Sequence, residues 1–315
     1  METRSLGRSG IEVSALALGS WRTYERIPRE RGLAVMRAAR EAGITFLDDA
    51  RYDDETGAAP MRTGWSEVVF GELFRAAGWK RDEVILANKL WWEWWPGQTA
   101  AEELDASLTR MELDHVDLIY AERPPAGLGA AEIVEQVRGL IEAGKARAWG
   151  VLNWRADLLT EASAIAARTG APPPAATQLV YSLADPGAVE GGAMQQALAE
   201  GGTSVVASHS LAGGALCGKY ERGEAGRLSG QLDGSRLQPA LALGARLSAD
   251  SACAELDATP AQLALAFALR GPGVASVLFG ATSAGQLQEN VGALRVAERV
   301  TADELAELRA LATDA

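Results

Sequence analysis

Histidine and cysteine are nearly absent: His115 and His209, Cys217 and Cys253 are the only ones among 315 residues. Two histidines exclude a histidine-rich zinc or iron site. Two cysteines give neither a disulfide framework nor a metal-ligand spacing, so no metal is expected. Basic residues are outnumbered, 30 against 42 acidic ones, for a net charge of −12 and a pI near 4.8. With no basic stripe to neutralise phosphates, nucleic acid and anionic membrane surfaces are not expected partners. No apolar run approaches a membrane span, and M-E-T-R-S-L-G at the start lacks the apolar core of a signal peptide. A cytoplasmic protein acting on a small molecule is expected. No Gly-x-Gly-x-x-Gly follows the first apolar run, which counts against an open dinucleotide-binding sheet.

What is present is alternation. A hairpin over Ser5–Ser14, turning at Ser9-Gly10, precedes apolar runs at 15–20, 44–47, 84–90, 116–121, 146–152, 177–181, 204–208 and 274–279. Each is too short for a helix and too apolar for a loop, as expected of strands buried on both faces. Amphipathic segments separate them, several with explicit start signals: Thr99-x-x-Glu102, Thr259-Pro260 and Thr301-x-x-Glu304. One continuous helix is predicted over 284–294. Only the Gly-rich stretch from about 212 to 238 breaks the rhythm. Eight strand–helix units in one chain of this length predict a single (β/α)8 barrel domain over residues 1–315, with an N-terminal hairpin and an additional C-terminal helix.

Barrels keep their chemistry at the carboxyl ends of their strands. The second run ends in Asp48-Asp49-Ala50-Arg51-Tyr52, the third in Asn88-Lys89-Leu90, and the fourth in Glu122-Arg123-Pro124. An ammonium beside a phenol favours the phenolate, and a carboxylate behind the ammonium keeps it charged. Such a tyrosine can donate a proton as hydride reaches a neighbouring carbon. Two readings of Glu122 stand at this point: a site residue, or half of a structural ion pair with Arg123. Lys89 is followed by Leu-Trp-Trp-Glu-Trp-Trp-Pro, four of the nine tryptophans. These predict an apolar wall for a ring-bearing substrate, with Trp21, Trp91 and Trp92 near it; packing of the loop on its own barrel is the other reading. Asp53, Asp54, Glu55 and Arg62 add polar groups that could read substrate hydroxyls or amines.

These segments together resemble the aldo-keto reductase superfamily over nearly the whole chain. Thr45–Tyr52 (T-F-L-D-D-A-R-Y) resembles its F-D-T-A segment with the tyrosine that follows, and Leu86–Lys89 (L-A-N-K) its lysine strand. Arg110–Pro124 resembles R-L-x-x-D-Y-I-D-L…H-R-P, and Gly144–Asn153 resembles G-K-x-R-x-x-G-x-S-N. Leu211–Tyr220 and Gly280–Asn290 resemble the loops around the cofactor's phosphates and adenosine. The branch resembled contains bacterial general reductases and the potassium-channel β subunits. The resemblance implies an NAD(P)H-dependent oxidoreductase with the tetrad Asp48, Tyr52, Lys89 and Glu122, where the family normally has histidine in the last place. A nucleotide-sensing regulatory subunit with little turnover is the alternative that it implies.

For the cofactor, the resemblance implies Ser20 and Trp21 among the binding residues, Asn153 and Gln178 at the nicotinamide carboxamide, and Ser208, His209 and Ser210 at the following strand end. It further implies Leu211, Ala212, Gly213, Lys219, Ser235 and Arg236 around the phosphates, and Gly280, Thr282, Gln286, Glu289 and Asn290 at the adenosine. Two cations, Lys219 and Arg236, lean the expectation toward NADPH over NADH. Four departures accompany the match. Glu122 replaces histidine, as in the steroid 5β-reductases, which opens reduction of a conjugated C=C or an imine besides a carbonyl. Ser208 replaces an aromatic that stacks on the nicotinamide. Leu152 replaces a serine before the asparagine. Asp48 to Tyr52 is one residue shorter than usual, which leaves Asp49 as a second candidate for the acid.

Overall fold

The computed structural model describes residues 1–220, 222–224, 226, 228–229, 237–249 and 251–313. Two short strands, β1 (Thr3–Ser5) and β2 (Glu12–Ser14), pair antiparallel as the expected hairpin. Eight parallel strands follow: β3 (Leu16–Gly19), β4 (Phe46–Asp48), β5 (Ile85–Leu90), β6 (Leu118–Ala121), β7 (Ala148–Leu152), β8 (Ala176–Val180), β9 (Ser204–Ser208) and β10 (Val274–Phe279). They close into a barrel because β10 pairs with both β9 and β3. Nearly every strand residue is buried, β3, β4, β6 and β7 without exception, since the barrel interior covers one face and the helices the other.

The hairpin explains which end of the barrel is open. Leu6, Ile11 and Val13 are at most 3% exposed and pack with Phe46, Leu118, Ala148 and Ala176, the first residues of their strands. The Gly7 N–H donates to Ser204 Oγ at 2.8 Å, tying the turn to the start of β9. The amino-terminal end is thereby filled, and polar residues gather at the other.

Helix starts follow the sequence closely. Thr99 and Glu102, and Thr259 and Gln262, form reciprocal caps, with Pro260 in the first turn of the second helix. The Thr301 N–H donates to Glu304 at 2.6 Å at the start of the C-terminal helix Ala302–Thr313. Two differences arise. The segment predicted as one helix over 284–294 is divided into Ala284–Val291 and Ala293–Arg299. Gln262, from a distant helix, donates to the Glu289 carbonyl at 2.8 Å and lies so near Gly292 that a Cβ there would be 2.3 Å from it. A helix over Gln238–Ala249 also follows the Gly-rich stretch, unanticipated although its Ala- and Leu-rich composition favours one.

Candidate active site

Asp48 ends β4 and Lys89 lies one residue from the end of β5, so pairing of those strands brings both side chains to the open end. The Lys89 ammonium contacts Asp48 Oδ1 and donates to Tyr52 Oη at 3.1 Å. Gln178, in the middle of β8 across the barrel, donates to Asp48 Oδ2 at 2.9 Å. Both oxygens of a carboxylate only 1% exposed are thus satisfied. Because Tyr52 accepts from Lys89, its own hydroxyl proton is left for another acceptor.

Burial pushes the Tyr52 hydroxyl well above the ordinary phenol range, with Asp48 and Asp49 adding to the rise; Lys89 pulls in the opposite direction and is outweighed. This corrects the expectation of a lowered phenol pKa. The lysine does act as expected on the phenol, but desolvation is the larger effect. Burial alone would pull Lys89 down, yet Asp48 and Tyr52 together hold its ammonium above the ordinary lysine value. The pair is therefore a protonated donor beside a fixed cation.

Asp49 takes no part in this pair. Adjacent residues of an extended chain point to opposite sides, and Asp49 turns outward to accept from Ser20 Oγ. Its second oxygen is buried without a partner among the described residues. Burial, reinforced by the nearby Glu67 charge, raises its pKa well above the ordinary carboxyl value. Glu67 is itself committed to Asn88 Nδ2 at 2.9 Å and to Arg110. A raised carboxyl pKa imposes no penalty below the unfolded value of about 4, and a growing one as pH rises toward the folded value. Asp49→Asn keeps the acceptor for Ser20 and cannot ionise. Its unfolding midpoint is expected to gain on the wild type from about pH 4 to about pH 7. An equal offset at both pH values, read from urea titrations, would refute a neutral buried Asp49.

Glu122 follows β6, its N–H donating to the Leu90 carbonyl at 3.0 Å. Arg123 Nε is 3.7 Å from Glu122 Oε1, and the arginine side chain is 66% exposed, so this pair is long and solvent-screened. Burial raises the Glu122 pKa against the weaker pull of Arg123. Its carboxyl is accordingly closer to the protonated state than an ordinary glutamate.

The strand ends beyond Gln178 hold the remaining candidates. The hydroxyls of Ser208 and Ser210 donate to the Leu179 carbonyl at 3.0 Å and the Tyr181 carbonyl at 2.9 Å, which locks the end of β9 to β8. Between these two buried serines, His209 adopts φ 55° and its ring turns to Trp21, with centroids 5.1 Å apart. Asn153, also at positive φ, donates its N–H to the Gln178 carbonyl at 2.9 Å. Ala212, Gly213 and Gly214 have φ of 48°, 68° and 97°, and two of their N–H groups are already engaged, Ala212 donating to the His209 carbonyl at 2.7 Å and Gly214 to the Leu211 carbonyl at 2.8 Å. Lys219 passes beside them: a Cβ on Gly214 would lie 3.1 Å from its ammonium. At the helix Ala284–Val291, Gln286 accepts from the Thr282 N–H and hydroxyl, both at 2.9 Å; Glu289 is exposed and Asn290 buried. Ser235 and Arg236 lie outside the described residues.

The tryptophans divide. Trp91 meets Tyr52 edge-on with centroids 5.9 Å apart and packs on the barrel's interior cluster. Trp92 was expected beside it, but is 3% exposed in the core between barrel and helices, against Trp95. Its φ of 60° swings the side chain away from the barrel mouth. Trp94 is 48% exposed and stacks on Arg51. The acids of the loop after β4 are engaged with their own surroundings rather than offered to a substrate. Asp53 accepts from Thr63 at 2.7 Å, Asp54 from Thr56 at 2.7 Å, and Glu55 is clamped by Arg22 and Arg26. Sequence reasoning missed Arg51, Glu67 and Glu103 as buried charges; nothing in their spacing announces pairings made across separate helices and loops.

The chain matches the sequence model of the Aldo/keto reductase family over residues 15–313. It is also similar to a probable voltage-gated potassium channel subunit beta of Oryza sativa subsp. japonica, 30% identical over 329 residues, covering 99% of this chain and 96% of that one. The chain belongs to the aldo/keto reductase family, whose members are typically NADPH-dependent oxidoreductases. Among the described residues, no helix is long and apolar enough to cross a membrane.

Proposed function

We propose that the protein is a reductase in which Tyr52 protonates the substrate while NADPH supplies hydride. The observation that carries this reading is the Lys89 ammonium, bonded at once to Asp48 and to Tyr52 Oη. Asp48 and Gln178 fix the lysine, the lysine occupies a lone pair of the phenol, and the phenol's proton is left to point at an acceptor. After transfer, the ammonium stabilises the phenolate. The tight backbone at 212–214 with the Lys219 ammonium beside it supports a place for the cofactor's phosphates, and the family's typical use of NADPH supports that cofactor over NADH. Trp21 and His209 together offer aromatic surface where Ser208 offers none.

Glu122, when protonated, donates a hydrogen bond to the accepting atom. That supports a carbonyl or a conjugated C=C or C=N attached to a ring as the reduced group, with Trp91 as its wall. The protonated fraction falls as pH rises through the Glu122 pKa. Wild-type turnover is therefore expected to decline about tenfold per pH unit above it. Glu122→Gln, a permanent donor, is expected to lose that decline. A pH profile on a panel of ketone, enone and imine substrates checks this, and the same falling limb in both proteins would reject the role.

The similarity to a channel β subunit favours a second reading, a nucleotide-sensing subunit that turns over slowly. Retention of oxidised nucleotide through gel filtration after a single slow turnover would support it over the first.

A further inference from the structure

Arg51 precedes Tyr52 and is only 5% exposed. Its Nη2 lies 2.9 Å from Glu93 and 3.6 Å from Glu103, and its guanidinium is 4.4 Å from the Trp94 ring centroid. Glu103, in the first turn of the helix Ala100–Met111, is 4% exposed. Its two oxygens accept the backbone N–H groups of Trp91 at 2.9 Å and Trp92 at 3.3 Å. One buried carboxylate thus holds consecutive residues of the tryptophan loop, and one buried cation ties that carboxylate to the loop's outer part.

Hydrophobic burial has no direction. Four indoles within five residues give it no means of choosing which one faces Tyr52, and a slip of one residue would offer Trp92 in place of Trp91. Directional bonds decide the register, and those from Glu103 are made at the two residues in question. The cost of burying a carboxylate is met by two N–H donors and a guanidinium. Burial still raises the Glu103 pKa against them.

We propose that Arg51 and Glu103 are positioning residues that fix Trp91 against Tyr52 and so select ring-bearing substrates over small ones. This rests on the reductase reading for its effect on substrate choice, but not for its effect on Trp91. Glu103→Gln keeps the shape, while its amide nitrogen opposes one of the loop N–H groups and the Arg51 guanidinium. Arg51→Lys keeps a cation and loses the planar stack on Trp94.

The test compares the KM of a cyclic ketone with that of a short aliphatic aldehyde, alongside NADPH affinity. It also takes the emission of Trp91, read as the difference between each variant and the same variant carrying Trp91→Phe. In Glu103→Gln the cyclic ketone's KM is expected to rise about tenfold, the scale of one lost apolar contact, with aldehyde KM and NADPH affinity unchanged. Trp91 emission is expected to move to longer wavelength and become quenchable by acrylamide. Arg51→Lys is expected to show the same pattern at smaller amplitude. An unchanged Trp91 emission, or equal rises for both substrates, overturns the proposal. Should the wild type reduce neither substrate, the reductase reading fails and the Trp91 emission alone decides the positioning.

Discussion

Replacing Tyr52 by phenylalanine is expected to lower turnover by about 10²–10⁴-fold, the usual contribution of a positioned proton donor, with NADPH binding retained. The substitution removes one oxygen. Lys89 keeps its contact with Asp48, and Asp48 keeps Gln178, so the buried charges remain satisfied. Packing is preserved too, because the aromatic ring that meets Trp91 is unchanged. Loss of activity without loss of stability or nucleotide affinity is thus the specific signature of the donor role. Steady-state kinetics, nucleotide titration and unfolding midpoints measure the three separately. Turnover equal to the wild type would remove Tyr52 from the mechanism.

Lys89→Met should behave differently, because it strips a buried carboxylate of its cation. Asp48 would retain only the Gln178 amide. Removing one partner of a buried pair costs roughly 3–5 kcal/mol, so a marked fall in the denaturant midpoint is expected together with the loss of turnover. The double variant Asp48→Asn/Lys89→Met leaves no buried charge at that point and is expected to recover most of the stability while staying inactive. Recovery of stability without activity separates the electrostatic role of the pair in the fold from its role in holding the phenol. A single Lys89 variant as stable as the wild type would mean that Asp48 is solvated or otherwise compensated.

Much of this arrangement is legible in the sequence because barrel strands are short, apolar and buried on both faces. Val274–Phe279 and Ser204–Ser208 coincide with their predicted runs, and Asp48, Lys89 and Glu122 stand at or just beyond strand ends where a barrel keeps its chemistry. What escapes the sequence depends on long-range geometry. Asp48 and Asp49 are chemically identical neighbours, separated only when Lys89 and Ser20 choose between them. The left-handed backbone at Trp92 is not encoded in any local turn residue, so its departure from the mouth had no signal. Gly292 keeps helical dihedrals, and beside it the Glu289 carbonyl is taken by Gln262, 30 residues earlier in the chain than Gly292, a reach that no periodicity reveals. The low pKa expected for Tyr52 neglected the desolvation of a half-buried phenol, which a motif does not carry.

Oxidation of a nicotinamide cofactor by this chain, with Tyr52 as the proton donor, is the step on which the proposed function stands. It is tested most directly by a single turnover. The protein, loaded with one equivalent of NADPH deuterated at the transferring carbon, is mixed with a ring-bearing ketone or enone, and nucleotide oxidation is followed alongside the mass of the product. About one equivalent of NADPH is expected to be consumed with deuterium appearing in the product, at a rate lowered by about 10²–10⁴-fold in Tyr52→Phe. NADPH that binds and remains reduced with every acceptor, or the same rate in both proteins, would contradict it.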